Sequence, residues 1–212
     1  MSVDADAASP DEHDARLMQA FASGDARAFD ALYQRHQASL YRFVRRLMSP
    51  SLPAQADEVF QEAWLRVVHA RERWQPQGAS FRTWLFTIAH HAAIDRLRRS
   101  AREVQLQGEP DDDAGAPFEP ATASPWAGWP EPQGAAAADG ADRLFWKRAG
   151  ERLLQCLEQL PAAQKAVFLL HHDEGWTLEE LAASLAVGFE TAKSRLRYAM
   201  SKLRVCMGAY LP

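Results

Sequence analysis

Apolar residues recur at the spacing of a single helix face in several stretches of the chain. Leu40, Phe43, Val44 and Leu47 fall at i, i+3, i+4 and i+7, the stripe that an amphipathic helix buries. Val59, Phe60, Ala63, Trp64, Val67 and Val68 repeat the pattern, and Leu85, Ile88, Ala92 and Leu97 make a third stripe. Breaks lie between them. Gly24-Asp25 reads as a helix stop followed by an N-cap, Ser51-Leu52-Pro53 interrupts before the second stripe, and Gln75-Pro76-Gln77-Gly78 before the third. Ser80 is placed to cap the helix that follows. Residues 16–102 are therefore expected to form a bundle of about four helices.

A second helical group follows. One helix is expected over about 144–160, and Pro161 suits the first turn of the next, which carries Ala166, Val167, Leu169 and Leu170 and ends near Gly175. Thr177-Leu178-Glu179-Glu180 fits a capping box at the head of a short helix reaching Leu185. Ala186-Val187-Gly188 reads as a tight turn, with Gly188 free to adopt the backbone that a sharp turn needs. The last helix starts at Phe189 or Glu190. Leu181, Leu185, Val187 and Leu196 are the expected small core of this helix-turn-helix. No alternating strand pattern of useful length appears. The expected fold class is all-α, with two small helical domains joined by a flexible acidic linker.

Charge changes the picture once it is counted by segment. The 212 residues carry 24 Lys+Arg against 28 Asp+Glu, a formal net charge of −4, which taken whole argues against nucleic-acid binding. Yet residues 1–15 hold five acids and no Lys or Arg, and residues 103–142 hold nine acids, again with no Lys or Arg, among many Pro, Gly and Ala. Such segments bury too little apolar surface to offset their ordering entropy. They read as a disordered acidic tail (1–15) and an acidic linker (103–142), the latter containing Trp126 and Trp129. Residues 16–102 then carry +7 and residues 143–212 carry +3. Two basic modules stand behind acidic connectors placed to screen them.

Cys156 and Cys206 make neither a disulfide framework nor a four-cysteine zinc site. At helical positions they read as small buried hydrophobes, with redox sensing as the alternative and a reducing cytosol as the setting. The N-terminal stretch is acidic and lacks the apolar core of a signal peptide. No run approaches the roughly 18 apolar residues of a membrane helix, so a cytoplasmic protein without stable membrane insertion is expected.

Three segments carry chemistry. The last helix presents Thr191, Lys193, Ser194, Arg195 and Arg197 near its start, and residues 191–212 hold five basic residues and no acid. A helix entering a major groove reads base edges with such N-terminal side chains, Arg by two-pronged donation to guanine and Lys chiefly to phosphate. The alternative is the solvated face of an ordinary helix. Next, Ser80, Phe81, Arg82, Thr83, Trp84, Leu85 and Phe86 run on to Ile94, Asp95, Arg96, Leu97, Arg98 and Arg99. Interleaved aromatics and arginines suit single-stranded nucleic acid, although aromatics at helical spacing are more often buried. Finally, Asp57, Glu58, Gln61 and Glu62 share one polar face, fit either to dock a basic coiled coil or simply to meet solvent.

Together these segments resemble a family. The order FDALYQRH, ADEVFQEAWLRVV, SFRTWLFTIAHHAAIDRLRR and LPAAQKAVFLLHHDEGWTLEELAASLAVGFETAKSRLRYAMSKLR is similar to bacterial sigma factors of the sigma-70 family, and more narrowly to the extracytoplasmic-function (ECF) group that keeps only regions 2 and 4. The resemblance spans about residues 16–102 and 143–205. It implies that Asp57, Glu58, Gln61, Glu62 and Arg66 contact the clamp helices of core RNA polymerase. It implies that Gln75, Gln77, Ser80, Phe81, Arg82, Trp84, His91, Asp95, Arg96, Arg98 and Arg99 meet the melted promoter −10 strand, from which a base is extruded. It implies that Glu190, Thr191, Lys193, Ser194, Arg195 and Arg197 read the −35 duplex, and that the linker threads toward the polymerase cleft. An anti-sigma factor is a common partner in the family, and nothing in the sequence identifies one.

Departures from the pattern are specific. Glu190 stands where the family often has Gly. It suits the helix dipole, repels phosphate, and can accept from a cytosine amino group. His90 and His91 replace the more frequent Arg and Asn. Two other readings remain at this point. A regulator binding duplex DNA alone leaves the acidic 57–62 face and the FRTW helix unexplained. An enzyme has only His171-His172-Asp173 and His90-His91 as candidate clusters, and adjacent helical histidines diverge by about 100°. No nucleophile elbow, phosphate loop or HExxH pattern is present. No catalytic residue, metal, cofactor or small-molecule substrate is expected.

Overall fold

The computed structural model describes residues 9–48, 53–75, 79–105, 140–208 and 210. Eight α-helices run through them: α1 (Pro10–Ala22), α2 (Ala26–Leu47), α3 (Pro53–Ala70), α4 (Phe81–Gln105), α5 (Gly140–Glu158), α6 (Ala162–His172), α7 (Leu178–Ser184) and α8 (Phe189–Met207). A single 3-10 turn, Arg71–Arg73, follows α3. No strand occurs among the described residues. Two compact units result. One comprises the helices up to Arg99 and takes in Ala183–Ala186, and the other takes the remainder.

The first unit is built on the predicted stripes. Leu40, Phe43, Val44 and Leu47 of α2 are all buried, as are Val59, Ala63, Trp64 and Val67 of α3. Aromatic rings join the helices. Phe29 and Tyr33 of α2 lie 5.7 and 5.0 Å from Trp64 of α3, and Phe29 lies 4.9 Å from Phe21 of α1. Phe43 of α2 meets Phe86 of α4 at 5.4 Å. Offset and edge contacts of this kind add about 1 kcal/mol each beyond the area they bury.

The N-terminal boundary needs correction. The expected tail over residues 1–15 is helical from Pro10. Ser9 accepts from the Glu12 backbone N–H at 3.2 Å, and the Glu12 carboxylate accepts from the Ser9 N–H at 3.0 Å. This reciprocal pair, with Pro10 at the first helical position, nucleates α1. The helix then carries Asp14 into the interior, where it is 2% exposed. Its carboxylate accepts from Arg35 Nε at 2.7 Å and pairs with His36 Nε2 at 2.6 Å, both on α2. An acid counted as tail charge is a structural partner. Residues 1–8 lie outside the described residues.

The linker is also shorter than the expected 103–142, because α4 continues to Gln105 and α5 begins at Gly140. Trp126, Trp129 and the acids at 109–139 lie outside the described residues.

In the second unit, α6 and α5 both pack along α8. Thr177 and Glu180 form the expected capping box, with Thr177 N–H donating to Glu180 Oε2 at 2.8 Å and Glu180 N–H to Thr177 Oγ1 at 3.2 Å. Leu181, Leu185 and Leu196 are buried, whereas Val187 is only partly covered. The tight turn is made differently from expectation. Ala186 takes the left-handed backbone, φ 51°, while Gly188 sits at φ −66° as the N-cap of α8. Cys156 of α5 and Cys206 of α8 are joined as a disulfide. The reading of two independent small hydrophobes is thereby overturned, because the two helices bring thiols 50 residues apart into register.

Candidate functional site

On α3, Asp57, Glu58, Gln61 and Glu62 are all exposed, and Arg66 is partly covered. They lie on the side of the helix away from the buried Val59, Ala63, Trp64 and Val67. The acids are not bare. Asp57 Oδ1 accepts from the Tyr41 hydroxyl at 2.9 Å, Glu62 from Arg66 Nε at 2.8 Å, and Glu58 pairs with Arg96 Nη2 of α4 at 3.2 Å. The Asp57 hydrogen bond raises the Tyr41 hydroxyl above its ordinary pKa. Leu65 stands 53% exposed on the same helix. It falls outside the predicted apolar stripe, a signal in the sequence for an exposed apolar residue that the charge pattern does not include.

Between α3 and α4 lies a cleft of about 260 Å³ lined by Glu58, Val59, Glu62, Arg66, Ala92, Arg96 and Arg99. The expected docking residues and the expected −10 residues thus meet along one groove, where Arg96 of the −10 set pairs with Glu58 of the docking set. Ion pairs this exposed contribute about 0–1 kcal/mol each.

The expected −10 residues separate into groups. Ser80 caps α4, its Oγ accepting from the Thr83 N–H at 3.2 Å. Phe81 must be withdrawn as a base-stacking candidate. It is 0% exposed, with its ring 5.4 Å from His36, because the apolar face of α4 turns it into the core. Trp84 remains partly exposed, and so does Trp74, which is not among the expected −10 residues; their rings lie 6.5 Å apart. Arg82 lies over the Phe86 ring at 5.9 Å. Gln75, His91, Asp95, Arg98 and Arg99 are exposed, and Arg99 Nε donates to the Asp95 carbonyl at 3.3 Å. Gln77 lies outside the described residues. His90 is buried.

At the head of α8, Glu190 and Thr191 are exposed, and Lys193, Ser194, Arg195 and Arg197 are partly exposed. Ala192, Leu196, Ala199, Met200 and Leu203 form the buried face that holds them outward. Glu190 pairs with Lys193 at 3.5 Å, and Ser194 Oγ donates to the Thr191 carbonyl at 3.0 Å. Phe189 is 41% exposed at the first position of the helix. An exposed ring there is an apolar group beside the polar side chains expected to read base edges, and its chemistry suits a thymine methyl. Phe189 lies outside the expected −35 set and marks only the expected helix start.

The paired histidines of the second unit are structural in their contacts. His171 Nδ1 bonds the Trp176 carbonyl at 2.6 Å, and the His172 ring stacks 4.5 Å from Phe168. Among the described residues no group of three or more His, Cys, Asp or Glu could hold a metal ion. Among them, too, no helix is long and apolar enough to cross a membrane.

Comparison with known proteins matches both units. Residues 32–103 fit the model of Sigma-70 region 2, and residues 156–205 that of Sigma-70, region 4. The chain is 33% identical over 186 residues to the ECF RNA polymerase sigma factor SigL of Mycobacterium tuberculosis, covering 88% of this chain and 92% of that one. It is 30% identical over 191 residues to the RNA polymerase sigma factor CarQ of Myxococcus xanthus, covering 90% and 95%. Among solved structures, CnrH in complex with the cytosolic domain of CnrY superposes with a TM-score of 0.59 at 23% identity, covering 93% of this chain and 98% of that one. The sigma factor RpoE of Bartonella quintana, in complex with the anti-sigma factor NepR, gives 0.59 at 20%, covering 85% and 96%. These two speak to the fold.

A four-helix unit matching region 2 and a helix-turn-helix unit matching region 4 define a sigma-70 family transcription initiation factor. Within that family the chain belongs to the ECF RNA polymerase sigma factors, which direct RNA polymerase to promoters. Its partners are core RNA polymerase and promoter DNA.

Proposed function

We propose that this ECF sigma factor docks on core polymerase through the α3 face of Asp57, Glu58, Gln61, Glu62 and Arg66, with Leu65 as its apolar anchor. The observation that carries this is the exposure pattern of α3: its acids and Leu65 face solvent while Val59, Ala63, Trp64 and Val67 are buried. Trp74 and Trp84 offer faces for unstacked bases of the −10 strand. Arg82, Arg96, Arg98 and Arg99 neutralise its phosphates, with Gln75, Gln77, His91 and Asp95 along the path. The head of α8 enters the −35 major groove, Arg195 and Arg197 reading base edges and Lys193 meeting phosphate. Glu190, Thr191 and Ser194 complete that set. The factor is non-catalytic and works in the cytoplasm, and an anti-sigma protein is a further partner in this reading.

Replacing Glu58 and Glu62 together by Ala is expected to weaken capture of core polymerase at least about tenfold, if the face supplies charge-assisted contacts of 1.5 kcal/mol or more. A pull-down at wild-type strength would remove α3 from the docking surface. On DNA, Arg195→Ala should cost about 1–3 kcal/mol on a native −35 site and little on one already mutated. Arg98→Ala should instead weaken holoenzyme binding to all promoters evenly and reduce the salt slope by about one phosphate contact. Equal loss on native and mutated −35 sites for Arg195→Ala contradicts its role as a base reader. Both are measured by titrating holoenzyme on paired promoter fragments.

A further inference from the structure

Helix α5 is fastened with little apolar burial. Leu144, Phe145, Trp146 and Leu154 are exposed, Trp146 by 56%, while Ala149, Cys156 and Leu157 are its buried hydrophobic residues. Its strong attachments to α8 gather near its C-terminal end. Cys156 is bonded to Cys206, and the Arg152 guanidinium donates Nε and Nη2 to the Cys206 carbonyl at 3.3 and 3.2 Å. The rings of Phe145 and Tyr210 add one contact at 5.7 Å.

The disulfide borders a groove of about 460 Å³ lined by Arg152, Gln159, Ser201, Lys202 and Val205 together with both cysteines. Cys156 is 1% exposed and Cys206 is partly exposed, so an attacking sulfur reaches Cys206 first. Two cations at the groove favour an anionic nucleophile and the thiolate that leaves. An RNA polymerase factor works where thiols are kept reduced, and disulfides in such compartments are chiefly transient and redox-sensing.

We propose that Cys156–Cys206 is a thiol-exchange site through which a small carboxylate-bearing thiol sets how firmly α5 is held to α8. The thiolate attacks Sγ of Cys206. The S–S bond breaks, and Cys156 leaves as a thiolate that takes a proton from solvent. A second thiolate attacks the added sulfur of the mixed disulfide and releases Cys206, which is protonated in turn. Two thiols are oxidised to one small disulfide, and the protein gains two electrons and two protons. With the bridge open, α5 loses its covalent tether. The α6 packing on α8 and the buried face of α8 do not pass through the bridge.

The test uses the full chain, air-oxidised, with reduced glutathione as probe and 2-mercaptoethanol as the neutral comparison. Alkylation and mass spectrometry count thiols, and hydrogen exchange follows residues 144–158 and 192–203. Reduction is expected to expose two thiols and to speed exchange in α5 by about tenfold or more while α8 stays protected. Lys202→Gln should slow reduction by glutathione about threefold and reduction by 2-mercaptoethanol clearly less, since both attack as thiolates but only glutathione adds carboxylate charge. A Cys156→Ser, Cys206→Ser double variant should show the reduced exchange pattern in every buffer; if it does not fold, the wild-type titration alone decides. Two free thiols in the air-oxidised chain overturn the proposal. So does unchanged α5 exchange on reduction, or a Lys202→Gln effect that is absent or the same for both thiols. None of these readouts depends on how promoter contacts are assigned.

Discussion

Asp14→Ala is expected to lower the melting temperature of the first unit by about 12–24 °C, from a loss of roughly 3 kcal/mol at 4–8 °C per kcal/mol. The cost comes mainly from His36, which is 7% exposed and pairs with Asp14 through Nε2. Without the carboxylate its ring nitrogen is buried with that partner gone. Arg35 is 39% exposed at its side chain and recovers water. The pH dependence follows from the carboxyl itself. Burial pushes its pKa up, but the hydrogen bond and charge of His36, then those of Arg35, outweigh burial and hold it below 3.8. The stability it contributes is therefore present above the unfolded value near 4 and is lost as pH falls through the lower folded value. Circular-dichroism melts at pH 7 and pH 3, with hydrogen exchange in α2 identifying the unit, check both points. Equal melting of wild type and variant at pH 7 would show that the pair contributes nothing net.

The second unit is expected to weaken earlier in acid. Burial and the neighbouring His171, opposed by Asp173, bring the His172 pKa down from 6.5 to about 4. Between those values the unfolded chain binds a proton that the folded chain refuses. Stability falls as pH drops through that window, by on the order of 3 kcal/mol at its lower end. Urea unfolding of α6–α8 at pH 7, 5.5 and 4.5 should reveal the slope, and His172→Gln should remove most of it. A wild-type curve that is flat across the window would mean the imidazole is solvated when folded. The two acid responses thus differ in place and in range: His172 acts between 6.5 and 4, Asp14 below 4.

Much of this architecture is readable in the chain. The stripes at 40–47 and 59–68 and the box at 177–180 each depend on local spacing, and local spacing carries through to the fold. The misplaced tail had a local signal too: Ser9-Pro10-Asp11-Glu12 is a capping box with proline at the first helical position, and counting charge obscured it. Asp14 was not readable in this way, because its partners Arg35 and His36 lie on another helix. Phe81 and Trp84 share one composition and part by burial, a property of the bundle and not of the motif. Leu65 and Phe189 were legible as apolar residues off their stripes. The disulfide was not, since 50 residues separate its halves and only the packing of α5 on α8 brings them together.

The Arg96–Glu58 pair has a practical consequence for anyone dissecting this factor by substitution. Neutralising Glu58 removes a carboxylate of the proposed docking face and at the same moment unties a cation on α4. A single variant therefore reports a sum of two opposing changes, weaker capture by protein and stronger attraction for phosphate. Comparing Glu58→Ala, Arg96→Ala and the double variant in both assays separates the contributions, the cycle returning the coupling that neither single change reveals.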